Sequence, residues 1–196
     1  MQFRKLSVLL LLTVALLSAT AGSVLADDAA QTAYDNGQYE QAMKLWLKRA
    51  RAGDSEAQNR CGELFRKGHG VERNYKKAAN WLEKAAKQSN AEAQFNLGAL
   101  YRAGKGVKKD AKLAAHWYRE AAKQGHAQAQ FAYGVMLENG RGVERDRAAA
   151  REWYVKAAAQ DHRKAAKRLK NLNKDSKKPV ADDPAGVLRK AARTGD

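Results

Sequence analysis

Proline occurs only twice in the 196-residue chain, at Pro179 and Pro184, so no fixed φ or missing N–H interrupts helix before that point. Cysteine occurs once, as Cys61, which excludes an internal disulfide and any scaffold stapled by them. Runs of β-branched residues with period-two alternation are also missing, and with them the usual signature of strands. Acidic side chains are outnumbered: 21 Asp and Glu against 37 Lys and Arg leave a formal charge of +16. What the chain does have is alanine, the strongest helix former, in abundance. With 44% hydrophobic residues it has enough apolar side chains for a packed core. The expectation is one all-α domain held by helix packing alone.

Catalytic patterns are equally scarce. The four histidines are His69, His116, His126 and His162; none is paired at i,i+4, and no His-Glu-x-x-His occurs. No serine sits in a nucleophile-elbow setting. Cys61 reads as a small core residue, and His126 and His162 read as solvent-facing turn residues rather than metal ligands. A protein without catalytic residues, metal or cofactor is expected.

The first residues form a separate object. Arg4 and Lys5 precede the apolar run "VLLLLTVALL" (8–17), and the stretch then turns small and polar before "VLA". That is the layout of a secretory signal peptide cleaved after Ala26, leaving a mature chain that starts at Asp27 with a charge of +14 once Arg4 and Lys5 are lost. The competing reading is an uncleaved anchor, since residues 6–26 carry no charge and are just long enough to span a bilayer.

The stretch "YRAGKGVKKDAKLAAHWY" (101–118) invites a phosphate-loop reading through its "GKG", but its neighbours overturn it. Residues 65–82 read "FRKGHGVERNYKKAANWL" and 137–154 read "LENGRGVERDRAAAREWY", so the stretch recurs every 36 residues. Three units follow without gaps: 55–90, 91–126 and 127–162. A fixed period of this length is the mark of a helical repeat array. In each unit a first helix carries an apolar stripe, in the second unit Ala93, Leu97, Leu100 and Tyr101, with Gly98 where a neighbouring backbone comes close. Gly104, like Gly68 and Gly140, falls just past the helix end, and Asn74, Asp110 and Asp146 stand as N-caps of the second helix. That second helix is expected to bury Ala114, Trp117, Ala121 and Ala122, with Trp81 and Trp153 as equivalents. Lys105 aligns with His69 and Arg141, so the loop keeps a positive charge but no fixed lysine.

The pattern A-x-A-Q-x-x-L-G-x-x-Y-x-x-G-x-G-V-x-x-D, then A-x-x-W-Y-x-x-A-A, resembles the Sel1-like repeat, a relative of the tetratricopeptide repeat. Residues 91–126 match almost position for position; Cys61 and Tyr133 replace the Leu, and Leu137 the Tyr. The resemblance implies a right-handed α-solenoid of stacked helix-turn-helix units. Residues 27–54 resemble a tetratricopeptide-type hairpin, residues 163–173 a capping helix, and residues 174–196 read as a flexible basic tail. By the same resemblance the first helices line a concave face. Its exposed positions would be Asn59, Glu63, Arg66 and Lys67, then Phe95, Ala99, Arg102 and Ala103, then Phe131, Val135, Glu138 and Asn139. This stripe runs from charged to apolar, which suits a peptide or protein segment.

A second charged region lies at the C-terminal cap, where Arg163, Lys164, Lys167, Arg168 and Lys170 occur without an acid. The loop columns His69/Lys105/Arg141 and Arg73/Lys109/Arg145 add a positive edge. Such charge favours an acidic protein partner, with membrane or cell-wall contact as a further option, while export argues against nucleic acid. The expectation is a monomeric periplasmic scaffold or adaptor that acts by binding protein; secreted and inner-membrane-anchored forms are the alternatives. Exported relatives also include immunity proteins that neutralise secreted effectors such as lipases, a role this small module fits as well. The enzymatic rival, an envelope hydrolase of the kind claimed for cysteine-rich relatives, is disfavoured because those carry a cysteine pair in every repeat.

Overall fold

The computed structural model describes residues 29–175, among which there are nine helices and no strand. The leader read at 1–26 and the residues beyond 175 lie outside the described residues. Helix α1 covers 29–35, followed by α2 (Tyr39–Arg51), α3 (Ser55–Lys67), α4 (Tyr75–Lys87) and α5 (Ala91–Ala103). Then come α6 (Ala111–Lys123), α7 (Ala127–Asn139), α8 (Arg147–Ala158) and α9 (Arg163–Asp175), two residues longer than the predicted cap. Each helix packs on the next in the chain, so the molecule is an α-solenoid of consecutive hairpins. No helix among the described residues is long and apolar enough to cross a membrane.

The helix boundaries follow from capping. Asn74, Asp110 and Asp146 accept hydrogen bonds from the backbone N–H of Lys77, Leu113 and Ala149, as the sequence predicts. Asp54, Asn90 and His126 do the same for the first helices of the three units, accepting from Ala57, Ala93 and Ala129. Gly104 ends α5 at φ 68°, a left-handed conformation that glycine takes without steric cost.

The core lies between the two helices of each hairpin and against the preceding unit. A Cβ on Gly98 would come within 2.9 Å of the Tyr118 ring and 3.3 Å of the Ala114 carbonyl oxygen, so glycine is what lets α5 and α6 meet. Trp117, expected as the buried aromatic of α6, is only half-buried, and so are its equivalents Trp81 and Trp153. The neighbouring Leu82, Tyr118 and Tyr154 are at most 2% exposed. One residue is about 100° of helix, so only one of two adjacent aromatics can face the first helix squarely. The tryptophans lie at the edge, where Lys84 and Lys156 sit 4.6 and 4.4 Å from the centroids of Trp81 and Trp153.

A glutamine ladder sets the spacing between units. Gln58, Gln94 and Gln130 are buried and donate to the carbonyls of Ala50, Ala86 and Ala122 in the preceding helix. Each accepts in turn from Gln88, Gln124 or Gln160 at the end of its own hairpin, at 2.7–2.9 Å. Buried amides are costly unless paired, so this ladder favours one register of stacking over others. Cys61 is fully buried and burial pushes its thiol up to about 12, in keeping with a core side chain rather than a reactive one.

Candidate functional site

The first helices of successive units, α5, α7 and α9, bring one side of the solenoid together into a groove of about 830 Å³. Phe95, Ala99, Phe131 and Val135 form its floor, as the predicted concave stripe requires, and all four are half-buried. Phe95 leans on the Tyr118 ring, with centroids 5.7 Å apart, and Phe131 on the Tyr154 ring at the same distance. Their outer faces are held by histidines: His126 stacks on Phe95 at 4.9 Å and His162 on Phe131 at 4.8 Å.

Those histidines are not solvent-facing turn residues. His126 Nδ1 accepts from the Ala129 N–H and His162 Nδ1 from the Ala165 N–H, so each caps a first helix. A proton on His126 Nε2 then faces Glu92 Oε2 at 2.7 Å, and that hydrogen bond holds the Glu92 carboxyl below its ordinary range. Only the column is legible in sequence, because His126 and His162 align with Asn90, an obvious N-cap residue.

Charge in the groove has one sign. Arg102, Lys109, Arg141 and Lys164 line it, and no carboxylate is among the lining residues. Lys109 and Arg141 arrive from the loops after α5 and α7, whereas Lys164 belongs to the first turn of α9. Arg102 is aimed by its Nε donating to the Tyr118 hydroxyl at 3.2 Å. Lys105 does not join them: its Nζ lies 5.2 Å from the Tyr75 ring centroid.

Several predicted site residues belong elsewhere. Asn59 is 1% exposed and cannot form part of the concave surface. It occupies the column of Phe95 and Phe131 but is buried there, with neither amide atom meeting a protein partner. Glu63, Arg66 and Lys67 do not line the groove. The half-buried Glu63 carboxylate pairs with Arg66 at 3.4 Å and Lys67 at 3.6 Å, and Lys67 donates to the Tyr34 hydroxyl of α1. Ala103 and Asn139, which end α5 and α7, are exposed outside the groove lining.

Glu138 is 8% exposed and is likewise no groove residue. It stands in the Arg102 column, but it accepts from the Tyr154 hydroxyl at 2.7 Å and from Arg168 Nε at 2.8 Å. Arg168 is therefore a tied side chain rather than part of a free basic patch, whereas Arg163, Lys164, Lys167 and Lys170 are exposed. Burial pushes the Glu138 carboxyl up, but hydrogen bonds from Arg168 and Tyr154 outweigh it and hold it below the usual 4.5. Its stabilising effect is therefore complete above pH 4.5 and is lost as pH falls through the lowered value. Glu138→Gln should cost stability at pH 7, and urea titrations should show the gap from wild type closing as the pH is taken well below 4.5.

Among the described residues no group of three or more His, Cys, Asp or Glu is placed to hold a metal ion. Stacked hairpins with an open, apolar-floored face define a helical-repeat binding scaffold. The model of the Sel1 repeat matches residues 55–90, 91–126 and 127–162, and the chain belongs to the Sel1 repeat family. Proteins of this kind are generally non-enzymatic scaffolds that bind protein partners.

Among solved structures, a Sel1 repeat protein from Oxalobacter formigenes is 38% identical, with a TM-score of 0.69 over 73% of this chain and 58% of that one. A protective antigen of uropathogenic Escherichia coli is 30% identical, with a TM-score of 0.68 over 80% of this chain and 34% of that one. Cysteine-rich protein B of Helicobacter pylori shares the fold at 24% identity and a TM-score of 0.53, over 66% of this chain and 96% of that one. This chain thus spans less than two thirds of the first two proteins. A comparison with curated proteins finds no match.

Proposed function

We propose that this protein is an exported adaptor whose concave groove captures a segment of another protein rich in both carboxylates and apolar side chains. The observation that carries this reading is the pairing of an apolar floor, Phe95, Ala99, Phe131 and Val135, with four cations and no lining carboxylate. Like charges gathered on a partly desolvated surface repel, and an anionic ligand relieves that cost while steering its own approach. The floor supplies the non-directional part of the affinity, and half-buried phenylalanines are effective interface anchors.

Export rests on the charged start, apolar run and small-residue site at 1–26. The mature chain should begin at Asp27 and be released by osmotic shock. An intact N-terminus retained in carbonate-washed membranes would replace the periplasmic reading with an anchored one.

The groove is tested with an array of synthetic peptides and the mature protein. Peptides that alternate Asp or Glu with Leu or Phe should bind, and their basic counterparts should not. Ala99→Glu and Val135→Glu should each weaken that binding at least about tenfold, because a carboxylate on the floor removes apolar contact surface and neutralises the lining cations that an acidic peptide would otherwise meet. Helical circular dichroism should be unchanged in both. Wild-type binding by both variants would move the site off this face.

A further inference from the structure

Successive units are joined at a second place besides the glutamine ladder. Asn90, which caps α5, donates from Nδ2 to Glu56 Oε2 of the preceding unit at 3.1 Å. His126, which caps α7, meets Glu92 Oε2 at 2.7 Å. Each pair links the cap of one first helix to the second residue of the first helix before it.

The third joint departs from this pattern. His162 holds its ring as His126 does. Nδ1 accepts at 3.2 Å from the N–H three residues on in both, and the rings stack on Phe131 and Phe95 with interplanar angles of 29° and 25°. With Nδ1 engaged by the backbone, Nε2 is the nitrogen that can donate. In the column of Glu56 and Glu92, however, α7 carries Gln128, and among the described residues His162 Nε2 has no hydrogen-bond partner. The half-buried His162 and the exposed Gln128 both line the groove, as does Lys164, the next residue of that column. Along the array the column reads Glu56, Glu92, Gln128, Lys164, so its charge passes from negative through neutral to positive.

We propose that His162 Nε2, with Lys164 beside it, seats one Asp or Glu side chain of the segment bound in the groove, in the place that Glu56 and Glu92 hold at the earlier joints. This rests on the groove being a site for acidic segments and adds a fixed anchor position to it. The hydrogen bond from His126 is the largest influence on Glu92 and holds its carboxyl below the ordinary range, so this ring geometry favours an ionised acid. Hydrogen bonds to an ionised oxygen are shorter and stronger than those to a neutral one, and Lys164 attracts only the charged acceptor.

Two measurements test the anchor, the first without a ligand. Gln128→Glu restores the earlier pattern within the chain. The introduced carboxylate, followed by carbon-detected NMR, should titrate below the ordinary glutamate range and move back toward it when His162→Ser is added. Serine keeps an N-cap but brings no donor across the joint. Equal titration in the two backgrounds, with helical circular dichroism intact, would overturn the proposal.

The second measurement uses the mature protein and the peptides that alternate Asp or Glu with Leu or Phe, each acid replaced in turn by its amide. In the wild type one position should stand out, its replacement weakening binding at least about tenfold. His162→Asn caps and donates as Asn90 does and should keep that dependence, whereas His162→Ser should reduce it to less than about threefold. Both variants lose the ring stacked on Phe131, so the difference between them isolates the donor. Undiminished dependence in the His162→Ser protein would overturn the anchor and leave the groove reading standing. Equal binding of acidic and basic peptides by the wild type would overturn the groove reading itself, and the ligand proposed for His162 with it.

Discussion

Tyr118→Ala should cost about 3–5 kcal/mol, the penalty for emptying a large, fully enclosed aromatic site. Its ring is 2% exposed, closes against the bare backbone of Gly98, and supports Phe95 from beneath. Trp117→Ala removes more atoms but should cost less, because Trp117 is only half-buried. Tyr118→Phe separates the ring from its hydroxyl: it should lose only about 0.5–1.5 kcal/mol, the worth of the bond from Arg102. Urea midpoints of the three variants decide the matter, and equal losses at positions 117 and 118 would contradict the buried role of Tyr118. The Tyr118→Phe protein should also bind acidic peptides less well, since nothing then aims Arg102 into the groove.

The second large effect is expected at Gly106, where each loop rests on the hairpin before it. Gly106 has φ 72°, and a Cβ there would overlap the Tyr75 carbonyl and lie 2.6 Å from the Lys76 nitrogen. Those are backbone atoms at the start of α4, which cannot swing aside as a side chain can. Gly106→Ala should therefore pay conformational strain of about 1–3 kcal/mol and a similar packing cost of about 1–3 kcal/mol. Gly125→Ala is the matched control: φ is 89°, but nothing lies within 4 Å of the new Cβ, so only strain applies. Thermal melts should show the larger loss at Gly106. Equal losses would mean that the loop is free of α4 and does not help to stack the units.

The helical class, the 36-residue period, the caps at Asn74, Asp110 and Asp146, and the apolar stripe of Phe95, Ala99, Phe131 and Val135 are legible in the residues alone. These are local or periodic features: a cap acts within three residues, and a stripe repeats wherever the helix does. Neighbours that look alike in sequence are told apart only by how the helices pack. Trp117 and Tyr118 are both large aromatics, and only the position of Gly98 on the facing helix shows which one enters the interface. Asn59 shares a column with Phe95, yet Asn59 is buried and Phe95 lines the groove. Glu138 and Arg102 share a column too, and Arg168, 30 residues further on, draws Glu138 into a buried pair. Lys109, Arg141 and Lys164 come from three separate segments, and the stacking of hairpins is what gathers them around one apolar floor. Distances across the stack depend on how far each helix stands from the next, which is set by side chains packing in three dimensions and not by spacing along the chain.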